Sequence, residues 1–277
     1  MSYWPLPPNV RHPVDERLNQ MIKGRQFMRG LFNGTSSPAL VEMTAYAGFD
    51  FTIIDNEHGS AGLETTEHML RAARASGIPA LVRCLEQDIA RTLDAGAMGV
   101  QIPMVNNVAH AQAIVKAVRY PRVKNFDGVS GGRGCASSVR ANGYGALGGN
   151  ALNSYANDNV ALIIMLETEE AIGQAAEIAA LPGVDGVFIG PNDLAHSMGY
   201  EGSFYDPAVQ AMIEKGLRAI ASTGKCAGTL TLGLEDEKRY SSWGATYLAA
   251  TITGVITKAL KESASAGRDT VQAKITY

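Results

Sequence analysis

Two carboxylates stand at equivalent places in the stretch from Ala161 to Asp193. An apolar run, 161–166, ends at Glu167. A helical pattern follows over Glu169 to Ala180 and is closed by Pro182 and Gly183. A second apolar run, 184–189, ends at Gly190-Pro191-Asn192-Asp193. Continuous apolar runs suit strands buried on both faces of a parallel sheet. A right-handed crossover carries the ends of two such strands to one edge of the sheet. Glu167 and Asp193 then converge where α/β enzymes place their chemistry. Paired carboxylate oxygens suit a hard divalent cation. A competing reading makes Glu167 a cap for the next helix and Asp193 a turn residue, and this stretch alone does not separate the two.

Other strand ends carry polar groups too. FTIID (51–55) ends in Asp55, with Glu57 and His58 just beyond. ALVR (80–83) ends in Arg83, and GVQIP (99–103) holds Gln101, which is free to point into a barrel. A carboxylate beside an imidazole fixes its tautomer and raises its basicity, the arrangement of a general base. Asp55 lies three residues before His58 in a tight turn and fits that part. A lone histidine in a loop more commonly just fills space. Glu57 reads as a brace for the turn. Arg83 is open to two readings: a buried ion-pair partner of Asp55 or Glu57, or a guanidinium that holds a carboxylate substrate or a developing enolate. His12, His68, His110 and His196 fall in tails or on helix faces and read as structural. A Schiff-base mechanism needs a desolvated lysine. No lysine lies within the predicted strands, and Lys225 is at most at the entrance of the seventh. A metal-stabilised enolate fits better: carboxylates for the metal, arginine for the oxyanion, histidine for the proton.

These residues need a scaffold, and the chain alternates regularly enough to supply one. Strands are expected near 28–32, at 51–55, 80–83 and 99–103, then at 161–166, 184–189, 225–230 and 245–250. Helices are expected near 37–47, 64–75, 87–94 and 107–118, then at 169–180, 207–223, 233–241 and 253–264. Eight strand–helix units in succession predict an α/β protein, a single (β/α)8 TIM barrel over 29–277 with no linker or second domain. Residues 1–28 read as an N-terminal extension, proline-rich at first and then a short helix over Glu16 to Lys23. Tyr120 to Asp158 reads as a long irregular segment with Gly-rich pieces at 128–134 and 143–150. Long loops in compact domains are usually functional or disordered. This one reads as a mobile loop beside the site, with Arg133 either orienting substrate or forming a salt bridge.

Composition narrows the class. The 277 residues are 46% hydrophobic and 18% charged, enough for one large core, and the net charge of −3 is dispersed. Neither nucleic acid nor an acidic membrane surface is expected as partner. Cys84, Cys135 and Cys226 are odd in number and far apart, so neither a disulfide framework nor a zinc site is supported. No apolar run approaches the roughly 18 residues of a membrane span, and the N-terminus lacks an apolar signal core. A soluble, cytoplasmic protein is expected.

FDFTIIDNEH (49–58), PALVR (79–83), QIPMVNN (101–107), RYP (119–121), GVDGVFIGPNDLAHSMGY (183–200) and KRY (238–240) together carry a resemblance. From about Arg29 to about Ala264 the chain resembles the HpcH/HpaI-type class II pyruvate aldolases. The resemblance implies a barrel of the phosphoenolpyruvate/pyruvate type, often a trimer or hexamer with exchanged C-terminal helices. It implies reversible aldol cleavage of a 4-hydroxy-2-oxo acid to pyruvate, or a related 2-oxo acid, and an aldehyde. Carried over, Glu167 and Asp193 bind a divalent cation, Mg2+ or Mn2+, with Co2+ or Zn2+ as alternatives. Arg83 holds the 2-oxo acid. His58, oriented by Asp55, takes the proton of the 4-hydroxyl through a water. Backbone amides near Gly190, Asn192 and Asp193 bind the carboxylate, and Leu230 walls the pocket. One departure stands out: many members carry Gln two residues before the metal-binding Glu, and here that position is Met165. The rivals are an oxaloacetate decarboxylase or C–C bond-forming enzyme resembling macrophomate synthase, a CoA-thioester lyase of the related citrate lyase type, and a metal-binding barrel without catalysis.

Overall fold

The structure is a computed structural model that describes residues 12–122, 129–147 and 150–266. Its strands are β1 (Met28–Asn33), β2 (Phe51–Asp55), β3 (Ala80–Arg83), β4 (Gly99–Ile102), β5 (Ala161–Leu166), β6 (Gly186–Ile189), β7 (Cys226–Leu230) and β8 (Ala245–Thr251). They close into a barrel in chain order, every pairing parallel. Ahead of the barrel runs α1 (Arg17–Lys23). Then α2 (Pro38–Tyr46), α3 (Leu63–Ser76), α4 (Ile89–Asp94) and α5 (Val108–Val118) follow the first four strands. α6 (Asn150–Asn159) leads into β5, which is followed by α7 (Glu169–Gly173) and α8 (Ala175–Ala180). α9 (Pro191–Ser197) and α10 (Pro207–Ser222) follow β6, α11 (Leu234–Ser242) follows β7 and α12 (Ile252–Ser265) follows β8.

The barrel holds two cores. Between strands and helices lies a large aliphatic layer that includes Ile54, Val82, Val100, Leu162, Ile164 and Val187. Inside the barrel lie the alternate residues, among them Met28, Phe51, Ile53, Leu81, Ile163, Phe188 and Tyr247. Phe51 and Tyr247 stack at 4.4 Å, and Phe188 meets Tyr247 edge-on at 5.9 Å. Aromatics this large fit because neighbouring strands supply glycine. A Cβ at Gly30 would lie 2.2 Å from the Phe51 ring, and one at Gly228 would lie 2.6 Å from Tyr247. This interior alternation places the site, since the next inward position at the carboxyl end of a strand opens on solvent instead of core.

The short helix expected over Glu16 to Lys23 forms as α1, its Leu18 and Ile22 fully buried in the inner core beneath the amino ends of the strands. Four other expectations are corrected. The helix expected over 169–180 breaks at Gln174, whose side chain accepts a hydrogen bond from the Val108 amide and so satisfies the first turn of α5. Between the strand expected at 184–189 and the helix expected at 207–223, where no helix is expected, stands α9, started by Pro191 at its first position. The segment between α5 and β5 contains α6 and a 3-10 turn over Arg140–Gly145. Its described part also lies away from the site. Arg133 bonds Asp94 at 2.6 Å and Arg140 bonds the Ala95 carbonyl at 2.7 Å, both just ahead of β4. A helix-to-strand connection must lie at the amino ends of the strands, so Arg133 is an ion-pair residue under the barrel. Residues 1–11, 123–128, 148–149 and 267–277, with the parts of the proline-rich arm and Gly-rich pieces they hold, fall outside the described residues.

Candidate active site

Asp55 is the last residue of β2 and points inward. Register pairs it with Arg83 on β3, and Arg83 with Gln101 on β4, so all three face the barrel interior. Asp55 Oδ1 accepts from Arg83 Nε at 2.8 Å and Oδ2 from Nη2 at 2.6 Å. The Arg83 guanidinium also lies over the Phe32 ring at 4.8 Å. Fork-to-carboxylate pairing of this kind is strong and geometrically fixed. Burial pushes the Asp55 carboxyl up, but the hydrogen bonds and charge of Arg83 outweigh it, and the net shift is below the usual carboxylate range. Gln101 sits one layer down, fully buried, its Oε1 accepting from the Tyr247 hydroxyl at 3.0 Å.

The expected Asp55–His58 pairing takes a different form. Asp55 Oδ1 accepts from the backbone amides of Glu57 at 3.1 Å and His58 at 3.3 Å, closing an Asx turn. The turn is tight enough that a Cβ at Gly59 would lie 2.0 Å from the Asp55 carbonyl oxygen. So Asp55 braces the turn and holds Arg83, while the His58 ring stands away from it. The nearest carboxylate to that ring is Glu57, with Oε1 at 3.9 Å from Nε2. Glu57, assigned to the turn from sequence, instead approaches Arg83 Nη1 at 3.1 Å with its other oxygen. Burial pushes the Glu57 carboxyl upward.

Across the barrel mouth, Glu167 follows β5. It is not the cap of the next helix: Thr168 is, its hydroxyl accepting from the Ala171 amide at 3.2 Å. Glu167 turns inward, 2% exposed, and Oε2 accepts from the Met104 amide at 2.6 Å. Met104 takes a left-handed φ of 56° to present that amide, strain that sequence patterns do not reveal. Gly190 leaves the space for Glu167 Oε1, since a Cβ there would lie 2.6 Å from it. Burial pushes the Glu167 carboxyl up to about 7, against the Met104 hydrogen bond and with further push from the charges of Asp193 and Glu57. Asp193 lies in the first turn of α9 and is exposed.

One cavity of about 700 Å³ joins these groups. Asp55, His58 and Arg83 line one side, and Glu167, Gly190, Asn192 and Asp193 another. Phe32, Met165, Phe188 and Leu230 add apolar surface. Met165 thus borders the cavity where a polar side chain was expected from the resemblance. Among the cavity-lining residues, Arg83 is the single arginine and no lysine occurs. His196, Thr251 and Thr253 also line the cavity, and none of them is among the site residues expected from sequence. Two signals pointed to them: His196 lies three residues after Asp193 on one helix, and Thr251 ends the eighth strand.

A divalent cation fits the donor set. Two carboxylates face a common space, one of them buried and hydrogen-bonded to the Met104 amide. Among the described residues no group of three His, Cys, Asp or Glu side chains is arranged to hold a metal. Two acids on one side suit an ion such as Mg2+, which takes one or two protein carboxylates and completes its shell with water and substrate oxygens.

Comparison with known proteins converges on one family. Residues 28–258 match the family described as HpcH/HpaI aldolase/citrate lyase. A hydroxypyruvate/pyruvate aldolase of Cupriavidus necator is 37% identical over 88% of this chain and 87% of its own length. A 2-keto-3-deoxy-L-rhamnonate aldolase of Escherichia coli is 33% identical over 87% of this chain and 86% of its own. The crystal structure of an HpcH/HpaI aldolase/citrate lyase family protein from Burkholderia cenocepacia superposes with a TM-score of 0.83 at 28% identity, covering 92% of this chain and all of that one.

Proposed function

The chain belongs to the HpcH/HpaI aldolase/citrate lyase family, and on that premise we propose that it is a divalent-metal-dependent aldolase. It cleaves a 4-hydroxy-2-oxo acid reversibly into pyruvate, or a related 2-oxo acid, and an aldehyde. One observation carries the reading: a buried carboxylate and an exposed one, Glu167 and Asp193, share a cavity with an anchored guanidinium, Arg83, and an accessible imidazole, His58.

Glu167 and Asp193 would hold the cation. When bound, that ion supplies Lewis-acid polarisation of the 2-oxo group. Arg83 has its Nε edge fixed by Asp55, which leaves remaining N–H groups for the oxyanion that develops as the enolate forms. Pro191 has no amide hydrogen, so the first free donors at the start of α9 are the amides of Asn192 and Asp193, placed to take the substrate carboxylate. His58 accepts the 4-hydroxyl proton through a water. The C3–C4 bond then breaks, its electron pair passes to the C2–C3 enolate, and the aldehyde leaves. Protonation at C3 gives the methyl group of pyruvate. Phe32, Met165, Phe188 and Leu230 supply apolar surface that excludes water from the enolate.

The chain is proposed to assemble as a homo-oligomer, a trimer or hexamer. In support, α12 buries only Ile252 and leaves Val255 and Leu260 exposed. No helix among the described residues is long and apolar enough to cross a membrane.

Two variants test the assignment. Glu167→Ala should abolish metal-dependent cleavage while far-ultraviolet circular dichroism stays as in the parent; parental turnover would remove the metal role from this pair. His58→Ala should slow cleavage about 100-fold or more with little change in pyruvate affinity. An unchanged cleavage rate would take His58 out of the reaction.

A further inference from the structure

We propose that Thr251 and Thr253 select the aldehyde, and that the aldehyde they select is neutral and hydroxyl-bearing. The proposal deepens the aldolase reading and rests on it: His58 marks the place of the 4-hydroxyl, and the carbons beyond C4 belong to the aldehyde.

The closed barrel fixes which groups are neighbours around the mouth. Arg83 ends β3, Glu167 follows β5 and Asp193 lies on α9 after β6, so the 2-oxo acid belongs to that side of the cavity. His58 follows β2, and the next strands away from Arg83 are β1 and β8. Phe32 of β1 stands in register with Thr251, the last residue of β8. Thr251 and Thr253 both line the cavity. Gly34, just after β1, lines it too and puts no side chain between His58 and the threonines. An aldehyde chain that starts at His58 and leads away from Arg83 runs along this arc.

Charge decides the first half of the class. The fixed charges lining the cavity are three carboxylates, Asp55, Glu167 and Asp193, against one guanidinium, Arg83. A divalent cation, offset by the carboxylate of the 2-oxo acid, does not reverse that balance. A second carboxylate, carried on the aldehyde, would enter against it and find no cation on the β1–β8 arc.

Hydrogen bonding decides the second half. Thr251 Oγ1 accepts from the Gly254 amide at 3.3 Å and caps α12. A Cβ at Gly254 would lie 2.7 Å from that oxygen, so glycine there lets the cap close. A hydroxyl that accepts still has a hydrogen to donate. Among the described residues, no protein acceptor takes it, and the Thr253 hydroxyl has no protein partner either. A hydroxyl on the aldehyde would accept from Thr251 and pair with Thr253. An alkyl chain would instead cover the Thr251 donor without replacing its water.

The test is a competition in the full-length, Mg2+-loaded enzyme. Pyruvate is supplied with equal amounts of glyceraldehyde, succinate semialdehyde and butanal, and the aldol products are counted by proton NMR. A product ratio does not depend on how much of a variant folds. Glyceraldehyde should lead in the parent. Thr251→Val removes the hydroxyl and should cut the glyceraldehyde-to-butanal ratio about fivefold, the share of one neutral hydrogen bond. Thr251→Ser keeps hydroxyl and cap and should keep the ratio. Thr253→Lys brings a cation to the arc and should raise the share of succinate semialdehyde by about tenfold. A parent that favours succinate semialdehyde or butanal, or parental ratios in both Thr251→Val and Thr253→Lys, overturns the proposal and leaves the aldolase reading standing. No product from any aldehyde, together with no metal-dependent exchange of pyruvate methyl protons, overturns both.

Discussion

Asp55 and Arg83 lock together through two parallel hydrogen bonds, 2.8 Å and 2.6 Å long, between adjacent strands at the barrel mouth. Both side chains are largely buried, so removing one charge strands the other. Asp55→Asn should raise KM for the 2-oxo acid at least tenfold, as Arg83 loses its fixed orientation. It should also lower the unfolding free energy by about 3 kcal/mol, the cost of breaking a buried pair. Steady-state kinetics and urea denaturation measure the two effects. A variant with parental KM would mean that Arg83 needs no anchor.

Gly190 makes the second wall of the site possible. An alanine methyl there would lie 2.6 Å from Glu167 Oε1 and 2.8 Å from its Cγ, closer than any ordinary contact. Glu167 must swing away, although the barrel itself tolerates one methyl group. Gly190→Ala should weaken Mn2+ binding by tenfold or more in calorimetry, with thermal unfolding still cooperative. Undiminished Mn2+ affinity would show that Glu167 Oε1 is not needed for the ion.

Glu167 also predicts a pH dependence. Burial raises its folded value to about 7, well above that of a free carboxyl. The folded chain then binds this proton more tightly than the unfolded chain does. The resulting stabilisation is complete below the unfolded value and is lost as pH rises through about 7. Metal-free protein should therefore lose stability between pH 5 and 8, and Glu167→Gln should flatten that slope. Because the ion competes with the proton, its affinity should fall as pH drops below about 7. Identical stability profiles for parent and variant would contradict the assignment.

The barrel was legible because its strands are apolar runs separated by helical patterns, and those signals are local. The inward positions at strand ends were legible for the same reason: Asp55, Arg83 and Glu167 each end an apolar run. What pairs with what is legible only in part: ion pairing of Arg83 with Asp55 or Glu57 is one of two readings the sequence offers, and Arg83 contacts both. The Asp55–Arg83 fork depends on register between strands 28 residues apart, and that register is a property of the closed sheet. The turn closes on Asp55 through the Glu57 and His58 amides, and Glu57 is the carboxylate nearer the His58 ring, at 3.9 Å. α6, with the sequence NALNSYANDN, has too few apolar residues to announce a helix in a Gly-rich neighbourhood. α9 is one short helix nested in what reads as a loop, so the sequence pattern does not separate His196 from the structural histidines.

The most direct test of the account is exchange of the pyruvate methyl protons in deuterated buffer, followed by proton NMR. Exchange is expected with Mg2+ or Mn2+, none after EDTA, and none in Glu167→Gln at any metal concentration. Exchange that persists after EDTA, or that survives in Glu167→Gln, would contradict enolate formation at a cation held by Glu167 and Asp193.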